Sequence, residues 1–346
     1  MRALQVTGPK AIALREVPDP DVGPDDVLIA VKAVGICGTD IEIIDGHMAY
    51  YTSGAADYPI TIGHEWVGTV EAMGSEVHGL SLGDQVVGEV SIGCGVCESC
   101  RSGAYHRCPY RTETGVMNRN GGMADKVALP SRAVHRVSDQ VSLASAALVE
   151  PTAIAYNGVR LAGVSPSTKV AIIGDGPIGL LLLQVAVAFG AARLVMIGAD
   201  TQRLALASKS GAEAVIDVRT AGWRAAVDEA FSGEAPDIIL EASGNPAGVD
   251  AAIEIATPGA TIVLQGLCGA RPDQGFDLDR IVVNDLTLRG ALGSPGIWPD
   301  VIDLIERGRI DPSLIVTHTL PLSDYAQAFE AVRSREAIKV ILRPDA

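Results

Sequence analysis

The chain of 346 residues is short of cysteine, of aromatic side chains and of positive charge. Lysine and arginine total 27 against 42 aspartates and glutamates, a net charge of −15. That balance argues against nucleic acid or an anionic membrane as partner, because both bind through clustered cations. Long apolar runs are almost absent. The one such run, residues 178–197, contains Gln184, Gly190 and Arg193 and follows a glycine-rich turn. It reads as a buried helix leading into a buried strand, not as a membrane span. No signal-peptide pattern opens the chain, so an oxidising compartment is not indicated and a cytoplasmic location is expected. Repeats and low-complexity tracts are lacking. What the chain does have is 48% hydrophobic residues and 38 glycines, enough for a large core with many turns. Its length suggests about two domains.

Of the six cysteines, Cys94, Cys97, Cys100 and Cys108 fall in one stretch as C-x2-C-x2-C-x7-C. Four thiolates this close can close a tetrahedral shell around one zinc ion, with no position left for chemistry. Two disulfides are the alternative, and the expected compartment favours zinc. A nucleic-acid-binding ribbon would need cations around the loop, and only Arg101, Arg107 and Arg111 are near it.

A second set of metal-ligand types lies outside this loop. Cys37 stands in G-I-C-G-T-D, His64 and Glu65 in I-G-H-E-W-V-G, and Glu150 in L-V-E-P-T-A. Taken singly, each has an ordinary reading: a small buried hydrophobe, a core or surface pair, a helix N-terminal acid. Together, a cysteine, a histidine and carboxylates are what an open, catalytic zinc site uses.

Residues 1–150 alternate short strands (27–34, 66–73 and 85–90) with Gly, Pro and Asp turns, the pattern of an irregular β-barrel-like domain. From residue 151 to about 290, buried strands at 170–173, 194–197, 214–216, 238–241 and 261–264 alternate with helices. That is the α/β pattern of a doubly wound parallel sheet. The first of these strands runs into Gly174-Asp-Gly176-Pro177-Ile178-Gly179, a G-x-G-x-x-G turn opening an apolar helix. Its glycines allow a tight turn, backbone approach to a pyrophosphate, and close helix–strand packing; the helix N-terminus then faces the phosphates.

The order C-G-T-D, G-H-E-x-x-G, four-cysteine loop, E-P and glycine turn resembles the zinc-dependent medium-chain dehydrogenases. The likeness runs from M-R-A-L at the start to K-V-I-L at 339–342 and is nearest the polyol and threonine branch. It implies a GroES-like β-rich catalytic domain (1–150), a Rossmann dinucleotide-binding domain (151–290) and a return segment (291–346) completing the first. It implies a catalytic zinc on Cys37, His64 and Glu65, with Glu150 as a further ligand or as partner of zinc-bound water, and a structural zinc on the four clustered cysteines. The reaction implied is hydride transfer between a secondary alcohol (a polyol, cyclitol or vicinal diol) and a nicotinamide cofactor, giving the ketone. Thr39 matches the hydroxyl that takes the proton. The next relay position is commonly histidine, and here it is Glu42. Asp40 is expected to be a structural hydrogen-bonding carboxylate.

The cofactor's base is less plainly written. Relatives using NAD place an aspartate where this chain has Gly198, and a glycine there resembles relatives that take the 2′-phosphate. Those relatives generally add a basic residue directly after it, where this chain has Ala199 and Asp200, and Asp200 would repel a phosphate or serve the 2′-hydroxyl by a shifted loop. Arg203 favours neither. NAD is favoured, with NADP open. Threonine dehydrogenases carry a histidine at the position of Ser91 and an aspartate at that of Glu150, which weighs against threonine as substrate. Threonine-type amino-alcohol oxidation stays an alternative, as does a non-catalytic dinucleotide sensor. A zinc-free quinone reductase would lack Cys37, His64–Glu65 and the thiolate loop. Tyr51, Trp66, Met117 and Trp298 are candidate pocket walls, with core packing the plainer reading. His47 is placed at a cleft edge or on a surface loop, His106 is expected not to be a ligand, and Cys268 is expected to be buried. The resemblance implies a homotetramer or dimer, with the strand near 287–291 as a pairing edge.

Overall fold

The computed structural model describes residues 1–268 and 277–345. The chain divides into two compact units, one formed by Met1–Glu150 with Pro295–Ala346, the other by Pro151–Ser294.

The first unit is mostly β. Its main sheet runs in the order Val134–Arg136, Gln85–Gly88, Glu65–Met73, Asp26–Gly35, Lys339–Arg343, Val316–Pro321, with Lys126–Pro130 also paired to Asp26–Gly35. Asp26–Gly35 is the centre of this sheet, buried along most of its length by Val, Ile and Leu. β-Branched residues suit such a pleated, buried position. Two register shifts bend it, between Leu28 and Ile29 and between Val31 and Ala33. Smaller three-stranded sheets flank it, one of them (Ser91–Ile92, Thr112–Thr114, Asn118–Arg119) beside the four-cysteine loop. The sheets enclose a core that includes Leu4, Ile29, Val34, Ile62, Trp66, Met123 and Leu342. Segment Pro295–Ala346 completes this unit by adding two strands to one side of the main sheet, Lys339–Arg343 against Asp26–Gly35 and Val316–Pro321 outside it.

The second unit is a six-stranded parallel sheet in the order Ala214–Asp217, Arg193–Gly198, Lys169–Ile173, Ile238–Glu241, Thr261–Leu264, Thr287–Gly290. Counted along the chain, that is the doubly wound order 3-2-1-4-5-6, whose ligands bind beyond the carboxyl ends of the strands. The apolar run at 178–197 resolves into the helix Pro177–Ala188 and the strand Arg193–Gly198. Among the described residues, no helix is long and apolar enough to cross a membrane.

Candidate functional site

Strand register assembles the first cluster. Gly35 pairs with Glu65 on one side and with Ile341 on the other. The Glu65 carboxylate folds over Gly35, where a Cβ would come within 3.2 Å of Glu65 Cδ and nearer still to its Oε2. Lys339, two residues before Ile341, reaches the same spot. Its Nζ donates to both Glu65 oxygens at 2.8 Å and to the Ile36 carbonyl at 2.9 Å. The two side chains are 3% and 1% exposed. Burial opposes the charged ammonium, but Glu65 and Cys37 outweigh it and hold Lys339 protonated above its ordinary range.

Cys37, His64 and Glu65 each offer one donor atom, all within 4.8 Å of one another. Asp40 ties down the loops carrying them: its Oδ2 accepts the Cys37 N–H at 2.8 Å and its Oδ1 the Gly63 N–H at 3.2 Å. Asp40 is wholly buried, which pushes its carboxyl upward while His64 pulls it down. His64 Nδ1 is buried with no hydrogen-bond partner among the described residues and stands 3.7 Å from Asp40 Oδ1. Burial works against a proton on His64, yet Asp40 and Cys37 together raise the imidazole well above its usual range. The imidazole offers a donor atom beside the Cys37 thiol and the Glu65 carboxylate, and that mixed set is one a cation completes.

Glu150 sits in the first turn of the helix Val149–Ala162, outside the 4.8 Å group but buried. Burial, with the nearby anions Glu65 and Asp40, raises its carboxyl to about 7 against the pull of His64 and Lys339. Thr39 and Glu42 lie on the helix Gly38–Asp45. Cys37 Sγ is 3.8 Å from Thr39 Oγ1. Glu42 follows Thr39 by three residues, on the same helix face. Burial raises the Glu42 carboxyl, with His47 opposing.

The four clustered cysteines form the second donor set, with all four sulfurs within 4.8 Å. Cys94 and Cys100 are 3.9 Å apart and Cys97 and Cys108 are 3.7 Å apart, sulfur to sulfur, and no disulfide joins them. Zinc–sulfur bonds of about 2.3 Å in a tetrahedron place sulfurs about 3.8 Å apart. Backbone N–H groups of Val96 and Cys97 lower the Cys94 thiol to about 6, while burial lifts Cys100 to about 11. Sulfurs this close cannot all ionise without a cation among them. His106 is buried but is not part of this set.

In the second unit, the turn after Lys169–Ile173 puts Gly174 at φ +110°, a conformation open to glycine. Gly179 packs against the Gly174 carbonyl with no room for a Cβ. Pro177 takes the first helical position, so the free amides next in line are those of Ile178 and Gly179. Gly198 ends the strand Arg193–Gly198, and Asp200 caps the helix Thr201–Lys209 through Oδ1, accepting from the Gln202 and Arg203 N–H groups.

Residues 23–139 match the family of the alcohol dehydrogenase GroES-like domain, and residues 177–307 match the zinc-binding dehydrogenase family. An L-idonate 5-dehydrogenase of Vitis vinifera is 33% identical over 98% of this chain and 93% of its own length. The chain belongs to the zinc-dependent medium-chain dehydrogenases. An L-threonine 3-dehydrogenase of Shewanella pealeana is 32% identical, with both chains covered in full. The alcohol dehydrogenase TADH of Thermus sp. ATN1 superposes with a TM-score of 0.90 at 31% identity, again over both full chains. This dehydrogenase therefore has a GroES-like domain and a Rossmann-type parallel sheet, and is an oxidoreductase of the alcohol and polyol class.

Two contacts of this dehydrogenase escape sequence reading. Lys339 belongs to a K-V-I-L strand with no motif of its own, and only pairing with Asp26–Gly35 brings it to Glu65. Asp175 occupies the variable position of G-x-G-x-x-G, where a charged residue was the available signal. Of the candidate pocket residues, Trp66, Met117 and Trp298 are buried. Trp66 packs on Gly88 and Gly122, and Trp298 stacks on His135 at 5.5 Å. Tyr51 stacks on Tyr58 at 4.4 Å and donates to the Val116 carbonyl.

Proposed function

We propose that this dehydrogenase oxidises a secondary alcohol of the polyol type to a ketone, passing the hydride to a nicotinamide dinucleotide. The reading is carried by the Cys37–His64–Glu65 donor set, with the Thr39 hydroxyl 3.8 Å from Cys37 Sγ and the buried carboxylates Asp40 and Glu150 near by. Cys37, His64 and Glu65 would hold the catalytic zinc, with Glu150 beside it, and Cys94, Cys97, Cys100 and Cys108 the structural one. When bound, the catalytic ion supplies a Lewis acid, of the kind that lowers the pKa of water from 15.7 to about 7.

The rest is done by the chain. Asp40 holds the Cys37 and Gly63–His64 backbones in register through its two oxygens. Lys339 neutralises Glu65 and fixes its orientation. Thr39 takes the alcohol proton, and Glu42, one turn along the same helix, passes it outward. Glu150, whose carboxyl burial raises, stands beside these groups. Gly174, Gly176, Pro177, Ile178 and Gly179 receive the pyrophosphate at the helix N-terminus. Gly198, Asp200 and Arg203 border the adenosine end.

The test is reduced-cofactor absorbance at mildly alkaline pH, offering NAD⁺ and NADP⁺ against polyols, cyclitols, vicinal diols and L-threonine, with a chelator control. Chelator-sensitive turnover of a polyol supports the proposal. Turnover of L-threonine alone moves the reading to an amino-alcohol dehydrogenase, the activity named for one full-length relative. No turnover with any alcohol, despite bound zinc and cofactor, leaves the sensor reading.

A further inference from the structure

In the turn Gly174–Asp175–Gly176, the Asp175 side chain crosses to the neighbouring strand end. Its Oδ2 accepts the N–H of Ala199 at 2.7 Å and that of Asp200 at 2.6 Å. This pins the loop after Arg193–Gly198 to the glycine turn. It also accounts for Gly198. A Cβ at that position would stand 2.6 Å from Asp175 Cγ and closer to Oδ2. The carboxylate therefore fills the space where an acidic side chain at 198 would begin.

In doubly wound dinucleotide folds, an acid about 20 residues beyond the glycine turn receives the ribose 2′-hydroxyl. Here position 198 has no side chain, and Asp200 spends its Oδ1 on the helix cap. Asp175 keeps Oδ1 without a hydrogen-bond partner among the described residues. Arg219, a cation near these two aspartates, is tied through Nε and a terminal nitrogen to both oxygens of Asp217. Asp200 and Asp175 add to the negative field around it.

We propose that Asp175 is the residue that selects the cofactor, receiving the adenosine ribose 2′-hydroxyl on Oδ1 and repelling a 2′-phosphate. The acid that reads the ribose has moved from the end of the second strand to the first turn, and Gly198 is the vacancy this move requires. The inference rests on the proposed use of a nicotinamide dinucleotide. It goes beyond that reading by fixing NAD over NADP on one side chain.

The test is a binding titration of zinc-loaded protein with NADH and with NADPH, followed by cofactor fluorescence and needing no turnover. Wild type is expected to bind NADH at least about tenfold more tightly than NADPH, the scale of one hydrogen bond to a charged group. Asp175→Asn keeps an oxygen for the two backbone N–H groups but removes the charge, and its preference should shrink towards parity. Asp175→Ala with Gly198→Asp puts the acid at the strand end with space to stand, and should restore the NADH preference that Asp175→Ala alone loses. Thermal unfolding identifies any variant that has not folded, and the Asn variant carries the test if the Ala variant fails. A wild type that favours NADPH, or an Asn variant with an unchanged ratio, overturns the role of Asp175. If wild type binds neither dinucleotide, the proposed function falls along with it.

Discussion

Residues 94–108 gather four sulfurs from one short loop, whereas the Cys37 cluster draws on positions 37, 64, 65 and 339, with Glu150 near by. The loop needs turns and little else, and its sulfurs are partly accessible apart from Cys108. The cluster needs the whole first unit, because two strand pairings meet at Gly35 and a buried lysine and aspartate offset and orient its charges. The difference is between a site closed by local geometry, suited to holding a structure, and one with mixed ligands and mobile protons, suited to chemistry.

The largest expected effect separates the two directly. Cys94→Ser should lose one zinc equivalent and destabilise the fold by on the order of 5 kcal/mol or more, since structural zinc contributes to folding outright. Cys37→Ser should lose the other equivalent and its turnover, with thermal unfolding shifted by only a few degrees. Zinc analysis beside thermal unfolding reads both. Equal destabilisation by the two variants would erase the distinction.

The next effect probes what the open cluster demands of its surroundings. Lys339→Met leaves Glu65 buried and unpaired, at a cost of about 3–5 kcal/mol. Lys339→Met combined with Glu65→Gln should cost clearly less than Lys339→Met alone, because the stranded charge is gone. Urea unfolding of the single and double variants of the zinc-free protein measures this. Additive costs would mean that the pair is not coupled.

These two regions also differ in how far they could be read from sequence. The thiol loop was legible because its ligands are neighbours in the chain. Cys37 and His64–Glu65 were legible through their motifs, although their convergence depends on the pairing of Gly35 with Glu65. Lys339 was not, because its role arises from a strand that joins the sheet some 300 residues after Cys37, and a lysine in K-V-I-L is otherwise an edge charge. The parallel sheet was legible from its apolar runs, down to the helix and strand within 178–197. The reason for Gly198 was not, because a glycine can mark a turn as well as a neighbour's side chain, and only the fold brings Asp175 into that space.

A smaller effect tests the proton route inside the open cluster. Thr39→Val keeps shape and removes the hydroxyl near Cys37 Sγ. Turnover should fall about a hundredfold, at the lower end for loss of a group that transfers a proton, while stability and zinc content hold. A variant with full turnover would remove Thr39 from the route.

The smallest effect lies one turn further along the helix. Only an ionised Glu42 can accept a proton from Thr39, and burial keeps its carboxyl protonated above the ordinary carboxylate range. Turnover should therefore fall as pH drops through that raised value. Glu42→Gln cannot titrate, so it should lose this acid limb. Above the limb its rate should fall about tenfold or less, because water can carry the proton in place of the carboxylate. The same burial gives a stability effect of opposite sense. With its folded-state value raised, the protonated form contributes stability at low pH that is lost as pH rises through that value, and Glu42→Gln removes this dependence. Superimposable pH–rate profiles for wild type and Glu42→Gln would end the relay at Thr39 and leave the carboxylate's burial as a matter of stability alone.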